Sequence, residues 1–332
     1  MSPEETKKTV DELAASLLAP RFAPPVAGER PAPPRSAPDI PGQGLVHGVG
    51  YGIPPQGGKA TRLIFASPAP QCVLDALAAK YAKRGKPVKI VASGPIVGLQ
   101  SLAVSIGADA APNYNAPPFY AGTLTGIVTA NGTNWLLGCN HVVSFNGRVP
   151  TGSPVRNPGL VDDFAGGPAI GSLSDTVLLA AQPSSNQVDC ALAQAAAARP
   201  AAPASMQPFS GNLNGQAVTK NGRITGITSS TISVPYFAGT IHFSFGSFDF
   251  TDLVGNYGPE SFARPGDSGS LVEAVNPPAT PTALGLLMAR AYTFDANNNV
   301  SGFLYLSCRF DLVLNKAAAA LGVPSVVFSP VA

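Results

Sequence analysis

Glycine (35 residues) and proline (34 residues) fill about a fifth of this 332-residue chain, a density that excludes a protein built of long helices. Many short strands joined by turns fit it better. Apolar residues reach 45% and charged residues only 12%, so most of the chain can bury a core and is not disordered throughout. Lys and Arg number 21 against 19 Asp and Glu, and a net charge of +2 is too small for a nucleic-acid polyelectrolyte binder. The length suits roughly two domains, or one large β domain with an appendage.

The first residues, Met1 to Lys8, are charged and polar, unlike a secretory signal. Ser2 and Glu5 form a capping box with Pro3 at the first helical position, and Val10, Leu13 and Leu17 share one face. An amphipathic helix is expected there. The longest uncharged run, Ile90 to Gly107, contains Pro95, so no membrane span or membrane partner is expected. Cys72, Cys139, Cys190 and Cys308 lie far apart with no CxxC pair. Their spacing predicts no metal site, and reduced thiols with no export signal predict a cytoplasmic location.

Residues 19–44 carry eight prolines and read as an extended linker. Residues 45–94 read as a small α+β unit: strands at 45–49, 63–66 and 88–91, and a helix from Cys72 to Arg84 stopped by Gly85. A connector of small residues occupies 95–118. From Phe119 the strands are closely spaced. Asn131-Gly132 is a hairpin turn between 124–130 and 135–137. Strands are expected at 218–228, 230–234, 241–245 and 284–288, and a closing helix at 311–321. Such a pattern indicates a β-barrel or sandwich.

Three segments can do chemistry. Arg264-Pro265-Gly266-Asp267-Ser268-Gly269-Ser270 sets glycines on both sides of a serine, so a sharp turn can present Oγ beside converging backbone N–H groups. Leu136 to Val143 places His141 just after an apolar strand. Asn186 to Leu192 places Asp189 at the head of another. Asp162, Asp163 and Asp175 also lie between His141 and Ser268, and Asp189 is favoured because an apolar strand follows it directly. The other histidines, His47 and His242, lack such a setting. An α/β-hydrolase is excluded: position 270 is Ser where G-x-S-x-G needs Gly, and the histidine comes first.

The order His141, Asp189, Ser268, with the G-D-S-G-S and N-H-V segments and V-D-C-A-L, resembles the trypsin/chymotrypsin-like serine proteases, in particular their intracellular bacterial branch. Lys220 to Gly226 also resembles a strand-turn segment of that branch. The resemblance covers about 119–325. It implies an all-β fold of two antiparallel six-stranded β-barrels with a C-terminal helix, here with a small N-terminal α+β appendage. The chain then divides into a helix (1–18), a linker (19–44), an α+β domain (45–94), a connector (95–118), a protease domain (119–325) and a tail (326–332). The implied activity is serine endopeptidase, needing no metal and no cofactor and acting on a protein or peptide. Ser268 is the implied nucleophile, His141 the base, Asp189 its orienting partner, and the N–H groups of Gly266 and Ser268 the oxyanion hole. Free imidazole titrates at about 6.5, so activity is expected near or above neutrality.

Departures matter as well. The substrate-holding Ser-Trp-Gly strand is missing, and Leu286 to Arg290 is its closest counterpart. The substrate pocket is assigned to Phe262, Met288, Ala289 and Arg290, and without a carboxylate at 262 a preference for Lys or Arg is not supported. Cys139 and Cys190 flank the triad and read as small buried hydrophobes rather than a redox switch. Ile96-Val97-Gly98 is similar to the new amino terminus of activated zymogens, whose amine pairs with the aspartate before the nucleophile, here Asp267. After Pro95, a strand start is the favoured reading. Residues 1–94 are expected either to engage a regulatory partner or to prop the barrels. The rival function is a catalytically silent binding module.

Overall fold

The computed structural model describes residues 2–17, 45–82, 87–99, 122–159, 167–181, 184–196, 206–275 and 282–330. The Pro-rich linker, Gly85, the connector beyond Leu99, and Asp162 and Asp163 lie outside these residues. The first part runs α1 (Pro3–Leu17), β1 (Val46–Gly52), β2 (Thr61–Ala66), α2 (Gln71–Ala82), β3 (Val88–Ala92) and β4 (Ile96–Gly98). Next come β5 (Gly126–Ala130), β6 (Thr133–Gly138), α3 (Asn140–Val143), β7 (Pro154–Arg156), β8 (Ala169–Thr176), β9 (Ser185–Asn186), β10 (Ala191–Ala195) and β11 (Gln207–Pro208). The last part is β12 (Ala217–Gly222), β13 (Gly226–Phe243), β14 (Gly246–Gly258), β15 (Leu271–Ala274), β16 (Thr282–Phe294), β17 (Val300–Arg309), α4 (Phe310–Ala320) and β18 (Val327–Pro330).

The protein is mostly β, as composition requires. Local signals placed many elements. Ser2 N–H donates to Glu5 Oε2 (2.8 Å) and Glu5 N–H to Ser2 Oγ (3.2 Å), completing the capping box. Asn131 and Gly132 turn the β5–β6 hairpin with φ of 48° and 76°. Other boundaries moved. The β12–β13 turn falls at 223–225, inside the span expected as one strand, and β13 stops at Phe243 before a turn at Ser244-Phe245. The expected tail 326–332 holds β18, which pairs antiparallel with β5.

Among the described residues, two sheets carry the fold. A six-stranded sheet runs β18-β5-β6-β10-β8-β7. A twelve-stranded sheet contains β13, β12, β15, β16, β17 and β14, closed into a ring by β13–β14 pairing. Of the expected two antiparallel six-stranded barrels, the mostly-β class is found and the six ring strands all pair antiparallel. The larger sheet is mixed, and the first sheet's pairings leave β18 and β7 as its ends. Its β2–β3 pair is parallel because α2 provides the crossover such a pair needs. The strands of 45–94 form much as expected, yet β1 pairs with β13 (Val49↔Ala238, Tyr51↔Tyr236), so they extend the larger sheet. α1 buries Val10, Leu13 and Leu17 in one cluster with Val49, Ile64, Leu77 and Ala238. Its apolar face is therefore covered by this chain's own residues. Among the described residues, no helix is long and apolar enough to cross a membrane.

Candidate active site

Strand register assembles the site. β10 pairs with β6 so that Ala191 faces Gly138. This carries Asp189, two residues before Ala191, to the level of α3, two residues beyond Gly138. The α3 turn is tied back by the N–H of Val143 donating to Cys139 O (2.9 Å). Asp189 Oδ1 then accepts the backbone N–H of His141 (3.0 Å), and its Oδ2 meets His141 Nδ1. One carboxylate thus holds both the backbone and the ring. Asp175, by contrast, sits in β8 opposite Leu192. His47 bonds Ser67 and His242 bonds Ser247, each away from this cluster.

Ser268 comes from the other sheet, in the turn before β15. Gly266 (φ 103°) and Gly269 (φ 93°) adopt backbone that side-chain-bearing residues rarely take. A Cβ on Gly269 would lie 2.0 Å from Thr123 O. The turn is stapled to the chain entering β5: Thr123 N–H donates to Ser268 O (2.6 Å) and Thr125 Oγ1 to Gly269 O (2.8 Å). The result is Ser268 Oγ 2.7 Å from His141 Nε2. All three side chains are fully buried.

Asp267 points away from this trio into a polar nest. Its carboxylate accepts from the backbone N–H of Ile224 (2.7 Å), Thr225 (3.3 Å) and Arg264 (2.9 Å), and from Thr225 Oγ1 (2.7 Å). Lys220 Nζ, fully buried, lies 3.4 Å from Oδ2. Burial pulls the Lys220 ammonium below its ordinary value, and the Asp267 charge offsets this only in part. Glycine at 222 leaves room, since a Cβ there would sit 2.5 Å from Asp267 Oδ1. An internal cation thus stands where the zymogen comparison would put an amino terminus. Lys220 was missed because its partner is 47 residues away, although its segment had been singled out.

Cys139 and Cys190 are buried, free thiols, pushed up chiefly by burial, Cys190 to about 12. Thiols so held are poor nucleophiles, in keeping with a packing role. Cys139, His141 and Asp189 could geometrically share a cation. Both imidazole nitrogens are already engaged, by Asp189 and Ser268.

Of the assigned pocket residues, Met288 meets the nucleophile, and Leu99, a neighbour the sequence did not suggest, meets Met288 in turn. Met288 O lies 3.3 Å from Ser268 Oγ and also accepts the N–H of Leu99 (2.8 Å). β4 pairs antiparallel with β16, Gly98 opposite Ala289 and Val97 opposite Arg290. Gly266 N–H donates to Leu99 O (3.1 Å). The Leu99 side chain is fully buried in one cluster with Phe262, Ala263 and Leu287. The Arg290 guanidinium lies over the Phe303 ring, 4.8 Å from its centroid.

No family model matches the sequence, and no curated protein matches it. Solved structures similar to it include several bacterial serine proteases. One is a glutamic acid-specific serine protease, at 16% identity over 62% of this chain and 92% of that one, TM-score 0.40. Thermobifida fusca Protease A is 14% identical over 68% of this chain and 100% of its own, TM-score 0.41. Cellulomonas bogoriensis chymotrypsin is 16% identical over 71% and 98%, TM-score 0.37. Likeness this distant does not establish an activity.

Proposed function

We propose that this chain is a serine endopeptidase of the chymotrypsin-like type, its two sheets forming the two lobes that such a site lies between. The observation that carries the reading is the hydrogen bond of 2.7 Å from Ser268 Oγ to His141 Nε2, with the other ring nitrogen on Asp189. Nucleophile, base and orienting carboxylate are then in the required sequence. Ser268 attacks a peptide carbonyl while His141 takes its proton, and His141 returns that proton to the leaving amine. Asp189 stabilises the imidazolium. The N–H groups of Gly266 and Ser268 receive the oxyanion, one such donor being commonly worth about 3 kcal/mol. Neither a metal nor a cofactor has a part in these steps. Four free thiols favour the reducing cytoplasm as its location.

Burial of Ser268 favours a second reading, a silent binding module with the same residues. One experiment separates them. A fluorophosphonate probe should label the wild type at Ser268 and should not label Ser268→Ala or His141→Ala. Ser268→Ala should cut peptide turnover by about 10⁴ or more with an unchanged circular dichroism melt. An unlabelled wild type with no peptidase activity returns the protein to the binding-module reading.

A further inference from the structure

The approach to Asp189 is fixed by side chains more than by strand pairing. β9 is only Ser185 and Asn186, paired parallel with Asp249 and Phe250 of β14. Asn186 Nδ2 donates to Asp249 O (3.0 Å), and Gln187 Nε2 donates to Asp252 Oδ2 (2.8 Å). Gln187 stands two residues before the carboxylate that holds His141. Asp252 lies where β14 bulges: between the pairs Gly239↔Phe250 and Phe237↔Leu253, β14 advances three residues against two on β13. Its φ of 60° is one that side-chain-bearing residues seldom take, and the residue is buried. Its charge is met from the N-terminal helix. Lys7 Nζ of α1 lies 2.8 Å from Asp252 Oδ1 and 3.0 Å from Oδ2. One buried carboxylate therefore joins the first helix of the chain to the segment that delivers Asp189.

We propose that Lys7, Asp252 and Gln187 are positioning residues for Asp189, so that the docked N-terminal helix sets how well His141 works as a base. The inference rests on the protease reading and deepens it by naming a control on the same site. Asp189 must reach the His141 backbone N–H and ring nitrogen together, and hydrogen bonds weaken steeply once their angle is lost. With Lys7 in place, Asp252 stays inside and holds the Gln187 amide. Without that cation, a buried carboxylate is left with too few partners and turns toward water. Gln187 then loses its acceptor, residues 187–189 relax, and the imidazolium formed in the transition state is less well stabilised. Release of α1 is thus a way to lower turnover without touching substrate.

Peptide kinetics and proton NMR on the full chain test this, at a temperature where circular dichroism shows each variant folded. Lys7→Met and Gln187→Leu should each lower kcat about tenfold with KM changed by less than about twofold. The double variant should fall no further than the lower single, since both act on one path, whereas independent contacts would multiply. Lys7→Arg should keep wild-type kcat, as should Lys8→Met, a change on the exposed face of the same helix. The far-downfield proton shared by His141 Nδ1 and Asp189 should move in Lys7→Met and Gln187→Leu and stay put in Lys8→Met. Should Lys7→Met fail to fold, Gln187→Leu decides alone, because it leaves the Lys7–Asp252 pair whole. A wild type that takes the fluorophosphonate label, beside a Gln187→Leu with unchanged kcat, a double variant whose losses multiply, or a fall in kcat without movement of that proton, overturns the inference and leaves the protease standing. A wild type with neither label nor peptidase activity overturns the protease reading, and the inference with it.

Discussion

At the scale of single residues, the site depends on charges that are buried and paired. Asp189 spends both carboxylate oxygens on His141, fixing which ring nitrogen faces Ser268. Asp267 anchors the turn that carries Gly266 and Ser268, and Lys220 supplies the countercharge. Lys220→Met should strand that carboxylate and cost about 3–5 kcal/mol in denaturant unfolding, with peptide hydrolysis falling in parallel. An unchanged unfolding midpoint would mean that the backbone N–H groups alone satisfy Asp267. His141 and Ser268 were legible in sequence because each lies inside its own short motif. Lys220 was not, since nothing near it in the chain shows which acid it meets. Leu99 was hidden for the same reason, its partners being at 266 and 288.

Among the elements, the amphipathic helix shows what local pattern can and cannot say. The capping box and the Val10, Leu13, Leu17 stripe define α1 without tertiary help. What the stripe meets is decided elsewhere, on β1, β2, α2 and β13. Leu13→Ala should destabilise the fold by about 2–5 kcal/mol, read as a lowered unfolding midpoint of the whole chain. A helix held out for a partner would instead leave that midpoint unchanged. The same limit governs β4. Three residues, Ile96 to Gly98, read as the start of a strand, and their pairing with both β13 and β16 gives them their significance.

On the scale of the whole molecule, chain crossings between the sheets make one site from two halves. His141 and Asp189 belong to the six-stranded sheet and Ser268 to the larger one, while Thr123 and Thr125 tie the nucleophile turn to the entry of β5. The C-terminus makes a return crossing. α4 follows β17, and β18 then adds to the edge of the first sheet, with Phe328 packed edge-on against Phe310 (4.6 Å). Phe328→Ala should therefore cost about 3–5 kcal/mol and loosen the sheet that bears His141, so turnover at elevated temperature should fall with stability. Stability lost without any change in turnover near the melt would separate the two sheets' roles.

By itself the sequence determined the local features: a capped first helix, the Asn131-Gly132 turn, β-rich composition, and a serine and a histidine in settings suited to acyl transfer. Each follows from backbone preference or side-chain alternation within a few neighbouring residues. Only the tertiary structure decided that residues 46–92 share a sheet with β13, that the sheet is mixed, and that the strand at 96–98 pairs with both β13 and β16. Strand pairing is made by residues far apart in the chain, and its free energy depends on the partner as much as on the strand, so no local pattern records it.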